Sequence, residues 1–526
     1  MENKEKVDLA EEVEGISLQD SKAIPQDGKH DAEDTEEFVV VEGLGDNKEF
    51  NLAKNSFMEF IKTILTFKGD VVSLTCPTFI LSGISLLELG VHWGDFINLF
   101  IEIKNGKTPE ERVMLASKWY ISTFYHSFYY RGDNAGPREK KPYNPILGEE
   151  FYARWDDKEY GQTNLISEQV SHHPPITAVH MENEKQGVYL NGFLQQKLKF
   201  SGTTLMVEQV GKMTLFFKET NELISVSLPS LAISGLLTAS PYLEVVGKCY
   251  MKSSMGIGSV MEFYKKPWLF GDYHKFDGTI FSEGSGSGYG NGNGNDANKD
   301  KKEKIPERKE EVNPPKEGRE DTVSLHSSKS TSSKPKKSKK RHVFYEIAGF
   351  WNSKSTCIYR PLSDSPSSSR ASSINRFASP SPSSRSSSTT SSSLSLSSSS
   401  RENSSEQVFL EADKLKRSIV KIHPPNRQSE FESQKVWRDV TKSLLEGDMK
   451  SASYHKNDIE ERQRKIARER KDDNVEWKPK LFVFIKHKDI INSDFRASLQ
   501  HLQKDCENTN DGMWVHKSMA ECFTSA

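Results

Sequence analysis

GVYLNGFLQQKLKF (187–200), TTLMVEQV (203–210) and MTLFFKE (213–219) stand in succession, separated by Ser201-Gly202 and Gly211-Lys212. Side chains on a strand point alternately to opposite faces, so β-rich runs with alternating polarity between turn residues mark strands with one buried face. The spacing predicts three short strands in a meander. YLEVVGKCYMK (242–252) and GSVMEFY (258–264) continue the pattern. HVFYEIAGFW (342–351) and VFLEAD (408–413) resume it after two interruptions. Many short antiparallel strands in series point to a barrel or a sandwich.

The interruptions have a different composition. Residues 283–341 open with GSGSGYGNGNGND and turn charged, and 363–405 are Ser-rich. No Gly-Lys-Ser/Thr follows the glycines, so a linker is expected rather than a phosphate loop. Both tracts read as long disordered insertions in surface loops of one domain, because closure entropy grows only logarithmically with loop length. Residues 1–50 read as a disordered acidic tail. The whole chain of 526 residues is 35% hydrophobic and 28% charged, and the apolar deficit lies in these segments. A net charge of −2 does not call for nucleic acid. Five scattered cysteines without a CxxC pair fit a reducing compartment and argue against a structural metal. The charge-free stretch 223–243 holds Pro229, Gly235 and Pro241, so strands and turns are expected there rather than a spanning helix.

Two helical regions flank the strands. Phe57, Phe60, Ile61, Ile64 and Leu65 recur at helical spacing behind Asn55, a candidate N-cap. Towards the C-terminus, residues 429–472 form a helical subdomain. Phe431, Trp437, Val440 and Leu444 fall near one face, with a stop at Gly447, and a charged helix is expected over about 456–471. On that helix Lys456, Glu460 and Arg464 follow at i, i+4, i+8 and share a face. The least common feature is Glu168-Gln169-Val170-Ser171-His172-His173-Pro174-Pro175. Its prolines favour an extended backbone, which would send the two histidines to opposite sides. Imidazoles donate hydrogen bonds to phosphate, more strongly when protonated. The other reading is a pair of hydrogen-bonded core or turn histidines. Neither an HExxH metal pattern nor a GxSxG nucleophile elbow is present, and the chain is not expected to be an enzyme or to need a cofactor.

EQVSHHPP, together with KKPYNPILGE (140–149), KWYIST (118–123), ASPYLEVVGK (239–248), EIAGFW (346–351) and ESQKVWRDV (432–440), resembles the oxysterol-binding protein family over about 54–290 and 342–480. The resemblance implies a short family member without pleckstrin-homology or ankyrin domains. Its fold is mainly β with α: an incomplete antiparallel β-barrel around a hydrophobic tunnel, an N-terminal helical lid at 54–76 and the C-terminal helical subdomain. The lid segment also reads as a core-packing or interfacial helix. The lipid-binding domain would span 51–480, leaving 481–526 as a tail of unknown role.

The resemblance further implies a common ligand, phosphatidylinositol 4-phosphate. Its headgroup would meet Lys141, Asn144, His172, His173, Lys456, Glu460 and Arg464. Phe57, Phe60, Ile61, Val71, Leu74, Leu81, Trp119, Ser127 and Tyr143 are the candidates for lid and tunnel lining, and most read equally well as core. Ser127 stands nearest to the family glutamine that helps hold a sterol hydroxyl. GDVVSL (69–74) is similar to the sterol-carrying branch, whereas KKPYNP occurs in phosphatidylserine carriers. The expected function is non-vesicular exchange of sterol for phosphatidylinositol 4-phosphate at transient membrane surfaces, in a cytoplasmic, peripheral protein of endoplasmic reticulum, Golgi or plasma membrane. A phosphatidylserine exchanger and a lipid sensor acting through a protein partner are the alternatives. Residues 37–42, EFVVVE, loosely resemble an FFAT motif for an endoplasmic-reticulum receptor; an acidic tail is the other reading. Ser372 and Ser379 sit in kinase-like contexts beyond the basic run 334–341.

Overall fold

The computed structural model describes residues 37–41, 61–62, 77–130, 140–201, 203–238, 241–267, 269–283, 341–361 and 406–524. Phe57, Phe60, Val71 and Leu74, most of the 54–76 lid segment, nearly all of the 1–50 tail and the two insertions lie outside these residues.

The first strand, β1 (Val39–Val40), is an edge strand, and β2 (Leu81–Ser85) and β3 (Lys141–Tyr143) form a small parallel pair. A meander follows through β4 (Glu150–Asp157), β5 (Gly161–His172), β6 (Pro175–Asn183), β7 (Val188–Ser201) and β8 (Thr204–Phe217). It continues through β9 (Glu222–Ser227), β10 (Ser230–Ser234), β11 (Tyr242–Ser253), β12 (Ile257–Phe263), β13 (Lys275–Ser282), β14 (Val343–Phe350), β15 (Lys354–Tyr359) and β16 (Gln407–Glu411). Neighbouring strands pair antiparallel, except that β10 pairs β8 directly while β9 pairs both β8 and β11. β17 (Lys421–Ile422) returns to sit between β4 and β1. The sheet runs as an open path from β1 to β16, a barrel-like but incomplete wall. β13 pairs β14 and β15 pairs β16, so both insertions connect adjacent antiparallel strands.

Alternation along β7 sets what the wall encloses. Val188 and Leu190 enter the main core, and Leu194, Gln196, Leu198 and Phe200 line an internal cavity. Tyr189 faces outward into a second cluster, and Lys197 and Lys199 are exposed. The sequence expectation needs correction at Gly211-Lys212, which is not a turn. β8 passes straight through both residues, paired with β7 at Leu194↔Gly211 and Phe193↔Lys212. Gly211 has φ +141°, and a Cβ there would meet the Phe193 carbonyl oxygen at 2.0 Å. Glycine therefore serves close strand approach within a long, bent strand.

The helix Pro109–Ser122 starts at the Thr108 cap, which accepts from Glu111 N at 3.3 Å. It buries Trp119 and Tyr120 in the main core, where Trp119 Nε1 donates to the Trp93 carbonyl at 3.3 Å. The C-terminal helices are Ser433–Val436, Arg438–Leu445 and Met449–Asp472. The last begins earlier than its charge pattern suggested, because Asp448 caps it by accepting from the Lys450 and Ser451 amides. Phe431 is exposed, whereas Trp437, Val440 and Leu444 pack against Leu81 and Tyr143. Residues 481–524 are built into the fold. β18 (Phe482–Lys486), β19 (Gly512–His516) and the helix Ser493–Asp505 cover the outer face of the meander, with Phe495, Leu499 and Phe523 against Tyr189, Phe216 and Leu223. Phe38–Val41 does not behave as a free tail: β1 pairs with β17, Val39 and Val41 pack on the main core, and Phe38 lies under Arg154 and beside His423.

Candidate functional site

Antiparallel register brings the C-terminal ends of β5, β7, β10, β12 and β14 to one end of the wall. This end is the rim. KKPYNPILGE arrives beside it because β3 is held parallel to β2 and because Glu149 is locked below. The Glu149 carboxylate is fully buried and accepts from Ser85 Oγ, Ser433 Oγ at 2.7 Å, Trp437 Nε1 at 3.0 Å and Ile146 N at 3.0 Å. Burial raises its pKa, and these four donors oppose the rise. Gly148, at φ +79°, lies under the Trp477 ring, and its amide donates to the Gln169 carbonyl at 2.9 Å. Glu168 accepts from the amides of Lys480 and Leu481 at 2.7 and 2.8 Å. The two sequence motifs thus brace each other and the C-terminal segment.

EQVSHHPP is a hairpin rather than an extended stretch. His172 pairs with Pro175, and Ser171 Oγ donates to the Pro174 carbonyl at 2.7 Å. The histidines accordingly do not diverge; their rings meet edge to face with centroids 4.7 Å apart. His172 is half-buried, and its Nδ1 is a buried atom without a partner among the described residues. Burial and then His173 lower its pKa, against the opposing pull of the Pro145 backbone and Glu460. Glu460 in turn accepts from Lys456 Nζ at 2.5 Å and lies 3.8 Å from Arg464. Glu460 thus holds Lys456 and Arg464 on its own helix, and its charge reaches His172 from a distant stretch of sequence.

Inside the rim lies an apolar cavity of about 350 Å³. Lys140, Lys141, Tyr143 and Asn144 line it, as do Ile61 and Ser127. The wall adds aliphatic side chains of β7, β8, β10 and β11, among them Leu194, Val207, Leu231 and Leu243. Leu81 and Trp119 are not part of the lining: Leu81 packs towards Trp437 and Trp119 sits in the barrel core. Tyr143 is wall as much as lining, stacked on Trp437 at 4.5 Å with its hydroxyl 3.0 Å from Thr441 Oγ1. Lys140 was missed as a site candidate, although it stands in the same KKP run as Lys141. His92 and Trp93 were missed as well, since LGVHWG carries no turn or charge signal.

Beyond the rim end of β12, Leu269 and Phe270 (82% exposed) are exposed, as is Leu237 beyond β10. Lys265 and Lys266 precede them; Lys265 donates to Thr204 Oγ1 at 2.9 Å, and Lys266 lies over the Tyr273 ring. Among the described residues, no helix is long and apolar enough to cross a membrane, and no group of three His, Cys, Asp or Glu could hold a metal.

The family model described as oxysterol-binding protein matches residues 57–336 and 319–517. Protein kes1 of Schizosaccharomyces pombe is 31% identical over 475 residues, covering 90% of this chain and 97% of that protein. Oxysterol-binding protein homolog C354.07c of the same yeast is 26% identical, over 88% of this chain and 91% of its own. The fold matches the Osh1 ORD domain solved with cholesterol, at a TM-score of 0.56 and 14% identity over 90% of this chain and 92% of that one. It also matches the Osh3 ORD of Saccharomyces cerevisiae solved with PI(4)P, at 0.51 and 18% over 90% and 99%. The wall, its braced rim and these matches together establish that this chain belongs to the oxysterol-binding protein family.

Proposed function

We propose that this protein carries one lipid at a time between membranes, exchanging a sterol for phosphatidylinositol 4-phosphate in a single cavity. The observation that carries the proposal is an apolar cavity with lysines in its lining, next to the His172–Glu460–Lys456 cluster. An apolar lipid body is driven in by burial, at about 25 cal/mol per Å² of apolar area. Lys141, Asn144, His172, His173, Lys456 and Arg464 supply donors for phosphate oxygens. A phosphate beside Lys456 would trade places with the Glu460 carboxylate, freeing Glu460 to accept from an inositol hydroxyl. Complexes of related domains with cholesterol and with PI(4)P support both ligand classes. The exposed Leu269 and Phe270 beside Lys265 and Lys266 suit contact with an anionic membrane while the cargo passes.

Vesicle-to-vesicle transfer by the purified protein tests this, with sterol, phosphatidylserine and phosphatidylinositol 4-phosphate assayed separately. Sterol and phosphatidylinositol 4-phosphate should both move at catalytic protein amounts. The double substitution His172→Ala/His173→Ala should slow only the phosphoinositide. Movement of phosphatidylserine in place of sterol would reassign the cargo, and movement of none would replace carriage by a sensor role.

A further inference from the structure

We propose that Gln169 is a positioning residue for phosphoinositide binding: its carboxamide holds the strand bulge that aims His172 and anchors the His172-His173 hairpin to the cavity wall. This rests on the carrier reading above and says what keeps its headgroup site in shape.

β5 and β6 pair residue for residue as far as Gln169↔Thr177 and then slip, so that Ser171 pairs with Ile176 and His172 with Pro175. Two steps along β5 thus oppose one step along β6, and Val170 is the extra residue. Cross-strand partners share a face of the sheet. Thr177 and Pro175 both line the cavity, so the slip sets His172 on the cavity face together with Gln169. Strict alternation without the slip would turn His172 to the outer face. Val170 goes the other way and packs with Ala178 and Phe482. Re-aiming a side chain is what a bulge does beside a binding site.

Gln169 is fully buried and is not itself part of the cavity lining. Its Nε2 donates across the bulge to the Ser171 carbonyl at 3.0 Å, and its Oε1 accepts from Thr177 Oγ1 at 2.6 Å. Its backbone is committed elsewhere: the amide donates to the Glu149 carbonyl and the carbonyl accepts from Gly148 N, both at 2.9 Å. One residue therefore joins the hairpin, the cavity wall and the segment that carries Lys141 and Asn144. A carboxamide supplies donor and acceptor at once. A side chain lacking both releases the Ser171 carbonyl and the Thr177 hydroxyl, and with them the aim of His172.

A double-mutant cycle tests whether Gln169 acts through the histidines. Binding of phosphatidylinositol 4-phosphate from phosphatidylcholine vesicles, and of cholesterol, is measured for the full chain as wild type, Gln169→Met, His172→Ala/His173→Ala and the triple variant. Gln169→Met should weaken phosphoinositide binding roughly tenfold and leave cholesterol within about twofold. In the histidine-substituted background the same change should alter phosphoinositide binding by less than about twofold. Equal weakening of both lipids by Gln169→Met, or an equal effect in both backgrounds, overturns the inference. Should Gln169→Met not fold, Thr177→Val takes its place in the cycle, since it keeps Gln169 but removes the hydroxyl that fixes Oε1. No effect of Thr177→Val, or an equal effect in both backgrounds, overturns the inference. An additive cycle in which the histidine variant is itself weakened leaves the carrier reading standing. A wild type that binds no phosphoinositide, or a histidine variant that binds it as well as the wild type, overturns the headgroup reading and this inference together.

Discussion

Trp437 Nε1 donates to Glu149 Oε2 at 3.0 Å, joining residues 288 positions apart in the chain. The bond ties the helical subdomain to the KKPYNPILGE segment, and the same carboxylate also orients Ser85 and Ser433. Glu149→Ala would leave buried donors unmet, at about 1–3 kcal/mol for each. Glu149→Gln keeps Oε2 as an acceptor, and the two serine hydroxyls can rotate to accept from its amide. Urea denaturation should therefore rank wild type and Glu149→Gln close together and Glu149→Ala well below. Equal loss in both variants would show that the site tolerates no neutral substitute.

That same comparison has a pH signature. Because burial raises the Glu149 pKa, its stabilising share is complete below the ordinary carboxylate pKa and is lost as pH rises through the elevated one. Glu149→Gln, which cannot ionise, should gain on the wild type as pH is raised from about 4.5 towards neutrality. A stability difference that stays flat over this interval would contradict the assignment.

Lys212 provides the opposite slope. It is fully buried under the C-terminal segment, with Nζ 2.8 Å from His487 Nε2 and donating to the Thr509 carbonyl at 2.9 Å. Burial lowers its pKa from 10.5 to about 7. Its stabilising share is thus present above the unfolded pKa and lost as pH falls through about 7. Relative to Lys212→Met, the wild type should gain stability between pH 7 and 9, read from urea midpoints of the full chain. No change across that window would mean that the ammonium stays charged in its carbonyl cage.

Leu269 and Phe270 test the membrane-facing rim. Leu269→Ser/Phe270→Ser removes two side chains that would each contribute roughly 1.5–3 kcal/mol when fully buried. Co-sedimentation with anionic vesicles should fall by roughly tenfold or more, while the melting temperature stays unchanged. Undiminished sedimentation would direct attention to another face.

Gly211→Ala should cost about 3 kcal/mol, because the added Cβ has only the Phe193 carbonyl to occupy. Gly247→Ala is the control: it too has a positive φ, but nothing lies within 4 Å of its Cβ. Thermal melts of the two should therefore separate strain from collision.

The alternation of 187–217 and of the later runs determined the meander by itself, because a period of two is a property of the backbone and is written in every second side chain. Motifs close in sequence were legible too: Lys141 and Asn144 share one short stretch, and Lys456, Glu460 and Arg464 share one helix face. The continuity of β8 through Gly211 was not legible, since a glycine serving close strand approach looks the same in sequence as one in a turn. Nor was the hairpin that brings His172 against His173, which follows from the pairing of β5 with β6. Only the tertiary structure decided that Trp119 and Leu81 belong to packing rather than to the cavity, because helix period locates an apolar face but not the neighbour it meets. It also decided that 481–524 covers the sheet and that His92, held by Asp95, is part of the cavity lining. Both depend on which distant residues surround a side chain, and that environment exists only once the chain has closed around it.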